Sequence, residues 1–173
     1  MNDKEKKVPA FTDSTGHEWH VEITLADVKR VSKTLGINLA TDALEGNESG
    51  ESPFLMTLAT DIIALVDMLY VLIKPQCDEL GLDDEQFAQR LTPESLPDLY
   101  GAFFNSLQIF FAGLKKEAVV AAIQKTIDTV REGDKQIAKH VLRVDPKKLI
   151  SGALSTSGQA LRELSRGRSA GTS

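Results

Sequence analysis

Apolar and polar residues alternate strictly over residues 18–23, near the start of the chain. Trp19, Val21 and Ile23 share one face, and the residues between them are polar. This period of two is typical of a strand with one buried face. A turn that contains Gly16 precedes the alternation, and glycine there can take a positive φ. The pattern predicts a β-hairpin over 11–23.

Helical spacing replaces the alternation from Thr24 onward. Thr24 followed by Asp27 resembles a capping box with Asp in place of Glu, and Gly36 is expected to end this first helix. A long aliphatic helix is predicted over 54–73, begun by Ser52 and Pro53. Its apolar face spans roughly 180°, wider than the stripe of an ordinary surface helix, which predicts a central position in the fold.

The second half of the chain predicts three more helices, over 83–91, over 96–114 and from Lys115 towards Pro146. Ser95 and Asp98 resemble a capping box for the 96–114 helix, and Gly113 is expected to end it. Four of the chain's seven Phe and one of its two Tyr lie between residues 100 and 111. These aromatic residues share one face of the predicted helix.

The elements together predict a mostly α fold: an N-terminal β-hairpin, a compact bundle of about five helices and a flexible C-terminal tail. The 173 residues suit a single domain. We expect a disordered N-terminus over 1–8, a helical domain over 9–144 and a low-complexity basic tail over 145–173. The tail is assigned from its Ser, Gly and Arg content and its scarcity of large apolar residues.

Charge and cysteine content narrow the functional classes. A net charge of −5 argues against a general nucleic-acid binder. The single cysteine, Cys77, permits no internal disulfide and fits a reducing compartment. The 54–73 stretch is apolar enough to suggest a membrane span, but it contains Asp61 and Asp67. Each would cost about 2.5 to 3.5 kcal/mol near the centre of a membrane, so a core helix of a soluble protein is expected.

No combination of residues predicts an active site. His17 and His20 lie three apart on a predicted strand, where they face opposite sides and cannot easily bind one metal ion. Asp61 and Asp67 point about 120° apart on a helix, and Cys77 has no histidine partner in the pattern. Phosphate-binding loops and nucleophile elbows are absent from the sequence. We therefore expect a protein that is not an enzyme and that has no catalytic residues, no cofactor and no metal.

A helix-turn-helix over 24–43 is an alternative interpretation. Its second helix, predicted over 38–46, contains Asp42 and Glu45 and no basic residue. Such a helix would repel the phosphates it has to approach. A DNA-binding regulator of this kind, or a virion structural protein, remains the alternative to the function considered next.

The apolar faces of the 54–73 and 96–114 helices have two interpretations. Packing into the chain's own core is the favoured one, because aromatic side chains are usually buried. Alternatively, part of this surface stays open and receives an amphipathic helix of another protein. The candidate partner-binding residues are Leu58, Ile62, Leu69, Tyr100, Phe103, Phe104, Phe110 and Phe111.

Several short motifs resemble the tail assembly chaperones of long-tailed bacteriophages. The first is Phe11-Thr-Asp-x-x-Gly-x-x-Trp19, followed by Val28-Lys-Arg-Val31 and Leu35-Gly-Ile-Asn-Leu39. A long aliphatic helix, an acidic Asp83-Asp-Glu-Gln-Phe87 segment and an aromatic helix ending in Phe110-Phe111 come next, in the order of that family. The resemblance covers roughly residues 10 to 130, and its motifs are short and mostly structural.

The resemblance implies a non-enzymatic function. Such chaperones keep the long, helical, aggregation-prone tape measure protein soluble while tail tube subunits assemble around it. The implied partners are the tape measure protein and the tail tube protein. The broad apolar faces favour association with further copies of the chain, and the charge pattern predicts no nucleic-acid or membrane partner. The implied location is the cytoplasm of the host cell, and the protein is expected to be absent from the mature virion.

Overall fold

The computed structural model describes residues 7–46 and 51–141, with side chains up to residue 135. The predicted basic tail over 145–173 lies outside these residues, as does most of the predicted N-terminal segment over 1–8. The chain divides into two units, Met1–Val130 and Arg131–Ser173. The first unit contains the hairpin and most of the helices, and the described part of the second is 131–141.

The described residues form two strands and eight α-helices, so the mostly α fold with an N-terminal hairpin is confirmed. The elements are β1 (Ala10–Thr12), β2 (Glu18–His20), α1 (Leu25–Leu35), α2 (Leu39–Asp42), α3 (Pro53–Thr60), α4 (Ile62–Leu72), α5 (Lys74–Glu79), α6 (Asp84–Gln89), a 3-10 helix (Pro93–Ser95), α7 (Leu96–Gly113) and α8 (Glu117–Val141). The helices outnumber the five predicted, because one predicted helix is broken and short helices occupy two connections.

The N-terminal hairpin has the predicted alternation. β1 and β2 are antiparallel, with Phe11 opposite Trp19. The side chains of Trp19, Val21 and Ile23 are buried, and Gly16 takes a φ of 84° in the turn. The hairpin prediction is therefore confirmed, and its apolar face belongs to the main hydrophobic core.

Asp13 organises the turn of this hairpin from a fully buried side-chain position. Its Oδ1 accepts hydrogen bonds from Thr15 N at 2.8 Å, Thr15 Oγ1 at 2.6 Å and His17 N at 3.0 Å. Its Oδ2 accepts from Trp19 Nε1 at 3.0 Å and lies 3.7 Å from Arg90 Nη1. The Asp13 carboxylate thus joins the turn, the buried indole and the end of α6.

Local capping signals in the first half of the chain have the predicted geometry. Thr24 and Asp27 form the capping box of α1, and Gly36 ends that helix at a φ of 70°. Ser52 caps α3 by accepting a hydrogen bond from Leu55 N. These three predictions are confirmed. They could be made from the sequence because each cap depends only on residues within one helical turn.

The prediction of one continuous helix over 54–73 is wrong. α3 ends at Thr60, α4 begins at Ile62, and the two helices are bent by 98°. Asp61 lies between them in an extended conformation and caps α4. Beyond α4 the chain forms a further helix, α5, which includes Pro75 in its first turn, where proline needs no amide hydrogen.

The predicted capping of α7 by Ser95 is also wrong. Ser95 has helical backbone angles and its side chain makes no cap hydrogen bond to α7. The capping box lies one turn earlier, where Thr92 N donates to Ser95 Oγ at 3.1 Å. A cap residue needs a non-helical backbone, and Ser95 already belongs to the 3-10 helix that leads into α7.

The hydrophobic core is built mainly around α4 and α7. Both helices contribute several fully buried side chains, and the hairpin and α6 add theirs. Trp19 packs edge-on against Phe87 of α6, with ring centroids 5.3 Å apart. Arg30 of α1 donates from Nη1 to the carbonyl oxygens of Val71 and Leu72 at 3.2 and 3.3 Å, so it fastens α1 to the end of α4.

Candidate protein-binding surface

Five of the eight candidate partner-binding residues lie inside the chain's own core. Their relative exposures are 2% for Leu58, 0% for Leu69 and Phe103, 3% for Phe104 and 0% for Phe111. The favoured interpretation of these faces, core packing, is confirmed for these five residues. In this conformation their side chains are not accessible to another protein, so a partner can reach them only if the bundle opens.

The other three candidates, Ile62, Tyr100 and Phe110, are half-buried. Tyr100 stacks on Phe104 with ring centroids 6.4 Å apart, and Phe110 packs edge-on against Phe111 at 5.3 Å. Partner binding by these three side chains stays a prediction. Ile62 belongs to α4, whereas Tyr100 and Phe110 belong to α7.

Phe110 lines an open groove of about 400 Å³ between the hairpin and the last turns of α7. The wall on the helix side consists of residues at helical spacing, Ser106, Ile109, Phe110, Gly113 and Leu114. The opposite wall comes from residues 8–9 and from the extended stretch 21–24. A groove of this size is large enough for two or three apolar side chains.

The hairpin wall of the groove is held in place by its backbone. Val21 N donates to Pro9 O at 2.8 Å, so the strand pairing extends past β2 and keeps residues 8–9 beside residue 21. Val21 and Ile23 point inward and are buried, while Glu22 and Thr24 are exposed. The groove therefore has an apolar floor and one acidic side chain, Glu22, at its rim.

Apolar side chains reach solvent around this groove. Val8 is 36% exposed and Leu114 is 41% exposed, and Leu25, which follows the lining residue Thr24, is 69% exposed. Exposed apolar surface next to a concave apolar floor is typical of a binding site for another protein's side chains. A lining dominated by hydrocarbon groups can bind such side chains.

Sequence reasoning identified Phe110 but missed the rest of the groove. Ile109 and Leu114 lie beside the buried face of α7, and Val8 precedes the first strand. The spacing of residues 106, 109, 110 and 113 indicates a second face of α7 that adjoins the core face. That signal was present in the sequence, but the hairpin wall opposite it depends on tertiary packing.

The two histidines considered for chemistry contact neighbouring side chains in the described part of the chain. His17 packs edge-on against Trp19, with ring centroids 4.5 Å apart, and exposed His20 lies 3.5 Å from Glu18. Burial, followed by the negative charge of Asp78, raises the pKa of the Cys77 thiol to about 11, so the thiol stays protonated at neutral pH. Within residues 7–46 and 51–141, no three His, Cys, Asp or Glu residues are placed to hold a metal ion.

The helix-turn-helix alternative depends on the segment after α1. There the chain forms only α2, a helix of four residues, whose Leu39 is fully buried. One helical turn presents few side chains to a DNA groove.

Among the described helices, no single one is long and apolar enough to cross a membrane. The bent pair of α3 and α4 meets that test only when its two members are taken together, by length and composition.

Comparison of the chain with protein-family models, with curated proteins and with solved structures gave no match.

Proposed function

We propose that this protein is a tail assembly chaperone of a long-tailed bacteriophage, which binds the tape measure protein and keeps it soluble while the tail tube assembles. The observation that carries the proposal is the open apolar groove between the hairpin and α7. A tape measure protein is long and helical, and its apolar helical faces need cover before the tube surrounds it. The groove offers apolar cover of the right kind.

The order of elements also supports this proposal. The motifs that resemble the chaperone family begin with the hairpin turn and its Trp19, and the hairpin forms one wall of the groove. The resemblance and the groove therefore involve the same part of the chain. By this proposal the protein acts in the cytoplasm of the host cell and is absent from the mature virion.

Co-expression with the tape measure protein encoded beside this chain tests the proposal. We expect more of the tape measure protein in the soluble fraction, and a complex that co-purifies. An unchanged insoluble fraction without co-purification would contradict the proposal. Salt-dependent binding to duplex DNA at physiological ionic strength would instead favour the regulatory alternative.

A pair of matched variants tests the groove itself. Leu114→Ser removes an apolar side chain at the rim, and Leu80→Ser removes one of similar exposure, 45% against 41%, outside the groove lining. Because Leu114 is only 41% exposed, binding can bury less than half of its side chain, which is worth roughly 1 kcal/mol or about a fivefold rise in Kd. We expect this loss for Leu114→Ser and not for Leu80→Ser, and equal affinity of the two variants would show that the client binds elsewhere.

A further inference from the structure

The bend between α3 and α4 forms at Asp61 without a helix-breaking residue. Residues 54–74 contain neither proline nor glycine, the residues at which sharp helix kinks usually occur. The change of direction, 98°, depends on one residue, Asp61, with φ −103° and ψ 101°. Joining the two helices requires helical backbone angles at Asp61 and three backbone hydrogen bonds, from residues 62–64 to residues 58–60, that the break leaves unmade.

Two of the five backbone hydrogen bonds that a continuous helix would make across Asp61 are present. Asp61 N donates to Thr57 O at 2.8 Å, and Leu65 N donates to Asp61 O at 3.1 Å. Both are the bonds from residue i to residue i−4 that an unbroken helix makes. Between them, Ile63 N and Ala64 N donate to Asp61 Oδ1 at 3.0 and 3.2 Å. The carboxylate replaces two backbone carbonyls and thereby stabilises the bend.

Apolar burial also holds the bent form. Leu55, Leu58 and Ala59 of α3 are buried, with exposures of 0%, 2% and 5%. Straightening would carry these side chains away from the core and into water. The bent form is therefore the stable form of the free chain. Another protein whose apolar surface packs against the exposed α3 side chains would stabilise the straight form. Ile63, the second residue of α4, is 70% exposed in the bent form, so one apolar side chain at the bend is already accessible.

Charge selects the kind of partner that could supply this surface. The described residues 34–46 and 51–73 contain five acidic residues and no Lys or Arg, although Lys33 and Lys74 flank the stretch and Arg30 bonds the end of α4. The acidic residues are Asp42, Glu45, Glu51, Asp61 and Asp67. Lys125 of α8 lies 3.4 Å from Glu51, but the stretch as a whole stays acidic. A helix with an apolar face and basic flanks complements both properties of this region.

We propose that α3 and α4 form an elbow, which straightens into one helix over residues 53–72 when a basic amphipathic helix of another protein covers the side chains that straightening exposes. The inference deepens the proposed function and rests on it for the identity of the partner. It also gives buried Leu58 a route to contact a client. The closed elbow shields this surface while no client is bound.

The distance between two exposed residues reports the state of the elbow. Spin labels on Thr57→Cys and Asp67→Cys, in a Cys77→Ala background, flank the bend on α3 and α4. At 1.5 Å per residue the labelled backbone positions lie about 15 Å apart in a straight helix and about 10 Å apart at the observed bend. Continuous-wave electron paramagnetic resonance is sensitive to dipolar broadening in this range.

The titrant is a synthetic twenty-residue amphipathic helix of Leu and Lys, and its charge control is the same peptide with Glu in place of Lys. We expect the Leu/Lys peptide to reduce the dipolar broadening, because the labelled backbone positions move from about 10 Å towards about 15 Å apart, and the Leu/Glu peptide to leave the broadening unchanged. A separation that stays short at saturating Leu/Lys peptide overturns the elbow. An equal response to both peptides overturns the selection by charge.

Two variants bias the elbow in opposite directions. Asp61→Leu removes the cap that stabilises the bend, and loss of an N-cap corresponds to roughly a fivefold change in equilibrium. Straightening should therefore need about fivefold less peptide. Ile62→Pro locks the bend, because proline fits the first position of α4 but disrupts a helix interior. The backbone of Asp61 already lies in the extended region that a following proline requires.

The matched control for the locked elbow is Ile62→Ala, which removes the same half-buried side chain without locking the backbone. We expect Ile62→Ala to straighten with peptide and Ile62→Pro to remain short. If neither variant responds to the peptide, loss of the Ile62 side chain explains the proline result. In that case, an Asp61→Leu titration identical to that of the wild-type chain overturns the elbow.

The tape measure co-expression separates this inference from the proposed function. If Ile62→Pro solubilises the client as well as the wild-type chain does, client binding does not use the elbow, which overturns this inference while the chaperone function stands. If the Leu/Lys peptide straightens the elbow while the wild-type chain leaves the client insoluble, the elbow stands and the chaperone function is wrong.

Discussion

Replacing Asp13 by asparagine should destabilise the fold far more than its position in a turn suggests. The substitution keeps the size of the side chain and an acceptor oxygen at Oδ1, which bonds Thr15 and His17. It puts an NH2 group in place of Oδ2, 3.0 Å from Trp19 Nε1. Two donors then face each other next to the fully buried Trp19 side chain, and the charge beside Arg90 disappears.

The size of the effect follows from these contacts. A hydrogen bond to a charged group contributes about 1.5 to 3 kcal/mol, and a buried donor left without an acceptor costs a further 1 to 3 kcal/mol. Since local rearrangement can relieve part of the donor–donor contact, we expect Asp13→Asn to lower the free energy of unfolding by about 3 kcal/mol. In a chain of 173 residues this corresponds to a fall in Tm of roughly 6 to 12 °C.

Urea unfolding measures this change, with circular dichroism at 222 nm as the signal. The fluorescence of Trp19, the only tryptophan, gives a second signal from the hydrogen-bonded side chain itself. The control is Asp67→Asn, which removes the same charge from an exposed position on α4 and should change the free energy of unfolding by less than about 0.5 kcal/mol. If Asp13→Asn is no more destabilising than Asp67→Asn, the carboxylate does not organise the turn.

The pH dependence gives an independent check with a defined sign. Burial raises the pKa of Asp13, but the hydrogen bonds from Thr15, Trp19 and His17 outweigh burial, and the net pKa is below its ordinary value of 3.8. A carboxyl whose pKa is lower in the folded chain stabilises the fold above its unfolded pKa and loses this effect as the pH falls through the folded value. The difference between wild type and Asp13→Asn should therefore be largest above about pH 5 and shrink below about pH 4. A difference that stays constant from pH 7 to pH 3 would contradict this cause.

Three further predictions concern α1 and the core. Thr24→Ala removes the capping box of α1 and should lower the free energy of unfolding in urea by about 1 kcal/mol; no change would mean that the cap is replaced by water. Arg30→Met keeps the aliphatic stem but loses the hydrogen bonds to Asp27 and to the carbonyls at the end of α4. Urea unfolding should therefore show a free energy of unfolding lower by about 1 to 2 kcal/mol. A higher free energy of unfolding would mean that desolvation of the guanidinium dominates. Cys77 is buried and its pKa is raised to about 11, so at pH 7 the thiol should react with Ellman's reagent only after denaturant is added; fast reaction of the native chain would contradict its burial.

The features that could be predicted from the sequence are those determined within a few residues. The alternation around Trp19 specifies a buried strand face, and the Thr24–Asp27 pair specifies a helix start. Both signals act through neighbours in the chain, so no knowledge of the tertiary fold is needed. The Ser95–Asp98 pair shows the limit of such signals, because Thr92 offers a competing capping box one turn earlier and only one of the two can begin the helical stretch.

The accessibility of the candidate binding residues could not be predicted from the sequence, and the physical reason is different. A periodic pattern identifies which side chains avoid water, but it does not say which surface covers them. Phe103, Phe104 and Phe111 are covered by the chain's own core, whereas Phe110, on the same helix, borders an open groove. The difference arises from the hairpin wall opposite α7, and that wall is formed by residues far away in the sequence.

The 54–73 segment shows how one pattern can be consistent with two structures. Its apolar face is unusually wide, so a single straight helix would need cover on two sides at once. The bend at Asp61 resolves this requirement in the free chain, because Leu58 and Leu69 become buried on separate helices. The predicted straight helix and the observed bent pair therefore bury the same apolar side chains, but against different surfaces. Because a client helix could provide the cover that the straight form needs, the failed prediction of a continuous helix and the proposed elbow have a common physical origin.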